Sequence, residues 1–165
     1  MTMAFISLGS NMGDSENILR RAMDRLAEHS IEPLLRSALW QTTPVACPPG
    51  SPPFVNAVVG LAPRNGETPE TLLERMQQLE KEFGRKPKVV VNEPRRLDLD
   101  LISYGQEIRS STWLILPHPR ACERGFVLEP LAEIAPDLIL PGQSRSVVQL
   151  LASLTTPERG FRLAN

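Results

Sequence analysis

Cysteine is nearly missing from this chain. Cys47 and Cys122 are the only two, far apart and outside any CxxC pair, which excludes a disulfide framework and a zinc knuckle and leaves two free thiols expected. No apolar run approaches the roughly 18 residues that a membrane span requires. The start, Met1 to Gly9, has no basic leader and runs straight into Asn11, Gly13 and Asp14, so it does not read as a signal peptide and a cytoplasmic protein is expected. Net charge is small too: a formal value of -1 argues against a surface adapted throughout to coat nucleic acid. Repeats and low-complexity blocks are absent. Neither phosphate-loop signature occurs, because no GK[ST] follows Gly9-Ser10-Asn11 and no GxGxxG is present.

What remains is a chain of 165 residues, 41% apolar and 22% charged, the usage and size of one globular domain spanning residues 1–165. Its positive charge is unevenly placed. Between Gly84 and Arg96 stand Arg85, Lys86, Lys88, Arg95 and Arg96 against Glu93 alone, which suits a polyanionic ligand. The apolar run Val89 to Val91 inside this segment is what a lid that packs down over a nucleotide would carry; a static hairpin with a basic edge is the alternative.

Local patterns lay out the elements. Met3 to Gly9 reads as a buried strand, and Asp14 or Ser15 caps a helix whose Ile18, Leu19, Ala22, Met23 and Leu26 share one face. Leu34 to Trp40 reads as a second strand, followed by a proline-rich surface loop from Pro44 to Pro53. Val55 to Leu61 is β-prone, and Thr68-Pro69 opens a helix running to Phe83 with Leu72, Met76, Leu79 and Phe83 as its buried stripe and Gln77 and Glu80 on a neighbouring face. Leu97 to Tyr104 is a fourth strand; Val127 to Ile134 and Ser146 to Leu154 are expected helices. The order strand, helix, strand, strand, helix, strand is that of a split βαβ unit, so an antiparallel α+β sandwich is expected.

The sharpest chemical signal is Pro94-Arg95-Arg96-Leu97-Asp98-Leu99-Asp100-Leu101. Residues two apart in a strand face the same side, so Asp98 and Asp100 project together while their leucine neighbours enter the core. Paired carboxylates repel unless a cation joins them, and hard oxygen donors favour magnesium shared with substrate phosphates. Arg95 and Arg96 add bidentate phosphate donors. In Pro117-His118-Pro119-Arg120 and Arg124-Gly125, the histidine has the chemistry to donate to a phosphate oxygen and Arg124 to offset transition-state charge. Phe54 and Phe126 lie beside loops, where a flat ligand between them would account for both.

Together these residues resemble the 6-hydroxymethyl-7,8-dihydropterin pyrophosphokinases of folate biosynthesis. The likeness runs through Gly9-Ser10-Asn11, Thr43-Pro44, Phe54-Val55-Asn56-Ala57, Glu80 before Gly84-Arg85, Pro94-Arg95 to Asp100, Pro117-His118-Pro119-Arg120 and Arg124-Gly125-Phe126-Val127-Leu128. It implies a ferredoxin-like α+β fold and transfer of diphosphate from ATP to the pterin hydroxymethyl group, with AMP as the other product. By that resemblance Asp98 and Asp100 would bind two magnesium ions. Phe54 and Phe126 would stack on the pterin, Asn56 would hydrogen-bond its edge, and Thr43, Pro44 and Val45 would complete its pocket. Gln77, Glu80, Arg85, Arg95, His118 and Arg124 would lie on the ATP side, with Arg85, Arg95 and Arg124 assisting catalysis and Leu101 lining the adenine pocket. Phe54 stands where the family often has Tyr, Asn92 where some members have Trp, and Pro119 where some have Tyr. ATP and the pterin are the expected partners of a monomer, with neither nucleic acid nor membrane. A metal-dependent phosphohydrolase and a non-catalytic small-molecule regulator are the rival readings.

Overall fold

The structure, a computed structural model, describes residues 2–42, 53–84, 96–154 and 161–163, the side chain of Phe161 excepted. Strand β1 (Ala4–Ser10) is buried along its whole length. Helix α1 (Ser15–Ala27) starts where the Asp14 carboxylate accepts the Asn17 N–H, and it buries Ile18, Leu19, Ala22, Met23 and Leu26 as its periodicity requires.

The expected strand over Leu34 to Trp40 is broken in two: β2 (Leu35–Arg36) and β3 (Trp40–Thr42). Ser37 causes the break. Its N–H donates to the Val58 carbonyl, but its hydroxyl, rather than its carbonyl, receives the Val58 N–H, so a side chain replaces a rung of the ladder. Ala38 and Leu39 are both buried, and pairing with β4 resumes one residue out of step, with Arg36 opposite Val59 but Trp40 opposite Asn56.

Strand β4 (Phe54–Leu61) follows, then α2 (Pro69–Glu82), opened by a reciprocal cap between Thr68 and Thr71 with proline at the first position. Its stripe of Leu72, Met76, Leu79 and Phe83 is buried as read from the sequence. Strand β5 (Asp98–Tyr104) leads into a short hairpin, β6 (Arg109–Ser110) and β7 (Ile115–Leu116). A 3-10 turn (Ala121–Glu123), α3 (Gly125–Ile134), α4 (Val147–Ala152) and β8 (Phe161–Arg162) complete the described elements. The hairpin strands and β8 have two residues each, too few to show a period.

The main sheet runs β5, β1, β4, β3, β8, with β2 also on β4, and its pairings are antiparallel. One face packs Ile6, Leu8, Val59, Leu61, Leu97, Leu99 and Leu101 with the apolar sides of α1 and α2. The other packs Phe5, Val58 and Ile102 with Val127, Leu128 and Leu131 of α3 and Val147 of α4. At about 1.5–3 kcal/mol for each fully buried large aliphatic side chain, both layers hold the sheet rigid between them. Among the described residues no helix is long and apolar enough to cross a membrane.

Candidate active site

Register places the site. In an antiparallel sheet directly opposed residues point to the same face. Gly9 is opposite Asp98 on one side and Asn56 on the other, and Asn56 is opposite Trp40. The next row on this face is Asp100, Ser7 and Val58; on the other side Phe54 is opposite Thr42. Farther along the same face Phe5, Val58 and Ile102 meet α3, so the polar rows lie beside the helix layer.

Gly9 separates a carboxylate from an amide with bare backbone. A Cβ there would stand 3.1 Å from Asn56 Oδ1. This glycine is required for close approach, since no positive φ is recorded at it. Asn56 is buried at 4% exposure, and its amide nitrogen donates to Thr42 Oγ1 at 2.9 Å, which orients the group. Backbones two strands apart are roughly 10 Å from one another, so Asp98 and Asn56 stand on opposite banks of a short gap.

Asp98 and Asp100 are half-buried while Leu97, Leu99 and Leu101 are buried, the alternation expected from the sequence. An irregularity opposite Phe5 and Ile6 shifts the pairing so that Leu101 meets Ile6 and Ser103 meets Phe5. Ile102, left between them, accepts the His118 N–H at 2.8 Å. Such an extra residue re-aims its neighbours, and here it anchors the histidine beside the aspartates. The Leu116–Pro117 peptide bond just before it is cis.

His118 Nδ1 accepts the Arg120 N–H at 3.3 Å, so in the neutral ring Nε2 carries the proton. Burial pushes the His118 pKa below its ordinary value, against the pull of Asp100 and Asp98 and with the help of Arg124 and Arg120. Arg124, at the entry to α3, also titrates below its ordinary range; burial is the main cause, the nearby Arg120 adds to it, and Asp100 and Asp98 oppose it. Its guanidinium carbon lies 5.4 Å from the centre of the Phe126 ring. Phe126 is half-buried against the α3-side core, and Phe54 is half-buried on the same side of the sheet.

Asp98, Asp100, His118, Arg124, Phe126, Asn56 and Phe54 are thus gathered on one side of the sheet. Gln77 is exposed on α2, on the other side. Glu80 is buried there and accepts the Leu99 N–H at 2.9 Å. The Leu101 side chain belongs to the core, leaving only its backbone for a ligand. Thr43, Pro44, Val45, Arg85 and Arg95, with the suggested lid and the loop before Pro53, lie outside the described residues. Pairing of Gly9 with both flanking strands, the shift at Ile102 and the Glu80 bond had no sequence signal beyond the motifs themselves. In Gly9-Ser10-Asn11 the first two residues still belong to β1 and the chain leaves the sheet only at Asn11; Ser10 and Asn11 are buried, and Ser10 Oγ reaches Ser15 Oγ at 3.2 Å.

The donor set suits a hard cation. Two carboxylates side by side, neither sealed from water, match magnesium, which keeps water and phosphate oxygens among its ligands. Imidazole and guanidinium beside them suit the phosphates themselves.

Comparison with known proteins points to one family. A family described as 7,8-dihydro-6-hydroxymethylpterin-pyrophosphokinase matches residues 5–136. The 2-amino-4-hydroxy-6-hydroxymethyldihydropteridine pyrophosphokinase of Bacillus subtilis is 41% identical over 132 residues, 79% of this chain and 77% of that protein. Folic acid synthesis protein fol1 of Pneumocystis carinii is 40% identical over 143 residues, 87% of this chain but 19% of that larger protein. A crystal structure of HPPK-DHPS in complex with substrates superimposes with a TM-score of 0.71 at 11% identity, over 93% of this chain and 45% of that one.

Proposed function

Because the chain belongs to the 7,8-dihydro-6-hydroxymethylpterin-pyrophosphokinase family, whose activity moves diphosphate from ATP to hydroxymethyldihydropterin, we propose that this transfer takes place across Gly9, from phosphates at Asp98 and Asp100 to a pterin at Asn56. The observation carrying this reading is the register row that sets Asp98 and Asn56 on either side of a residue with no side chain. The strand order β5, β1, β4, β3, with α1 and α2 linking the two halves, supports a ferredoxin-like description of the sheet.

Asp98 and Asp100 would hold magnesium, two ions by the family pattern, which when bound neutralises phosphate charge and polarises the reacting phosphoryl group. His118 donates from Nε2 to a phosphate oxygen, and Arg124 sets its positive charge against the transferred group. Arg85 and Arg95 belong on the same ATP side. Gln77 and the backbone of Leu101 are assigned to the nucleotide, and Glu80 acts from behind β5. Phe54 and Phe126 stack on the pterin, with Asn56 on its edge and Thr43 to Val45 closing the pocket.

The pterin hydroxymethyl oxygen forms a bond to the β-phosphorus, the bond from that phosphorus to the bridging oxygen of AMP breaks, and the hydroxyl proton passes to solvent. No covalent enzyme intermediate is needed; holding both substrates in line supplies the acceleration. The protein acts as a monomer on two small molecules.

A product assay tests this. Wild type should convert ATP and hydroxymethyldihydropterin to AMP and pterin diphosphate, while Asp98→Asn and Asp100→Asn should each lose about 100-fold or more in kcat with the fold retained. Release of ADP or inorganic phosphate without pterin would point to the hydrolase chemistry instead, and unchanged turnover in either variant would refute the role of the aspartates.

A further inference from the structure

Glu80 occupies an unusual place for a carboxylate. It lies in the last turn and a half of α2 at 8% exposure, and Oε2 accepts the backbone N–H of Leu99 at 2.9 Å. β5 ends the order of the main sheet, and the N–H that Glu80 takes has no strand partner among the described residues. Leu99 is the residue between Asp98 and Asp100, its own side chain sunk in the core with Leu79 and Phe83. The carboxylate therefore grips the strand at the rung between the two aspartates, from the side opposite their own.

The grip also joins two stretches of chain. Past Glu80, α2 ends at Glu82 with Phe83 as its C-cap, and Gly84 follows at φ 90°, where a Cβ would stand 3.4 Å from Arg96 Cδ. The exit of α2 and the approach to β5 are thus close together, and the Glu80 bond to Leu99 is one polar tie beside that junction among the described residues. An edge strand without such a partner exposes its N–H groups to water and frays.

We propose that Glu80 is a positioning residue for diphosphate transfer: held on the Leu99 N–H, it fixes the edge of β5 so that Asp98 and Asp100 face the phosphates together. This rests on the reading of the two aspartates given above, and it departs from the direct ATP contact that the family resemblance implies for Glu80. A carboxylate acting through the backbone needs only an acceptor oxygen, whereas one acting on the nucleotide or its metal needs charge. Glutamine separates the two, because its amide oxygen keeps the acceptor and drops the charge.

The test compares Glu80→Ala and Glu80→Gln with wild type, in the empty enzyme and in turnover. In the empty enzyme, amide exchange at Leu99 should accelerate about tenfold or more in E80A and stay near wild type in E80Q. In turnover, E80A should lose about tenfold or more in kcat with the KM values for ATP and pterin little changed, and E80Q should recover most of it. If E80A does not fold, Glu80→Met keeps the volume and removes the acceptor. Two results overturn the proposal: a truncated variant with unchanged kcat, or E80Q as impaired as E80A with a raised KM for ATP, which would make Glu80 a nucleotide ligand. Asp98→Asn run alongside keeps the failures apart. Full activity in D98N sinks the aspartate reading, whatever the Leu99 amide does.

Discussion

Gly9 contributes nothing but backbone to the row between Asp98 and Asn56. Substituting Ala puts a methyl group 3.1 Å from Asn56 Oδ1, tighter than an ordinary contact, so the buried amide has to shift by a few tenths of an ångström. Gly9→Ala is therefore expected to weaken pterin binding about tenfold and to cost about 1–3 kcal/mol of stability, while ATP affinity changes little. Calorimetry with each substrate checks this; an unchanged pterin affinity would mean that the orientation of Asn56 is not used. His118 makes a related point. Its placement by the Ile102 carbonyl and its tautomer, set by the Arg120 N–H, leave a single N–H donor pointed by the fold rather than by a flexible side chain.

Helices and strands divide their work. α2 is capped at one end by Thr68, whose hydroxyl accepts the Thr71 N–H at 3.1 Å, and reaches the site through Glu80 near the other. Thr68→Ala should cost about 1 kcal/mol of unfolding free energy in a urea melt and leave kcat alone. A large loss of turnover in that variant would show that the cap and the site are coupled along the helix. β5 is the contrasting case, since its alternation sends leucines into the core and aspartates to the other face, and a shift of one residue would exchange the two sets. Its edge is held from outside by α2 and His118 and from inside by β1.

For the molecule as a whole, acid should be destabilising through both of its histidines. Burial is the first cause of a lowered pKa in each, and nearby arginines reinforce it: Arg124 and Arg120 at His118, Arg75 and Arg64 at His29. The unfolded chain protonates near the ordinary value of 6.5 and the folded one only at lower pH. Between these values the unfolded state binds more protons, so stability falls as pH drops through 6.5 and levels off below the folded pKa; above 6.5 these groups contribute no slope. His29 lies away from the site, with its N–H on the Leu26 carbonyl at the end of α1. His29→Gln should flatten the decline in melting temperature between neutral pH and about pH 5.5 without changing kcat at neutral pH. A decline as steep as in wild type would assign the effect to other groups.

Sequence alone determined whatever depends on near neighbours. Faces of α1 and α2, their caps, the pairing of Asp98 with Asp100 on one side of a strand and the family motifs are written within a few residues of one another, because helix and strand periods repeat over that distance. Tertiary structure decided the rest. That Gly9 would lie between Asp98 and Asn56 depends on three strands more than forty residues apart choosing one register. The Ser37 interruption depends on Val58 being opposite, and the roles of Ile102 and Glu80 depend on β5 ending up at an edge. Backbone groups look alike along a chain, so which of them is left to a side chain is settled only when the strands have paired.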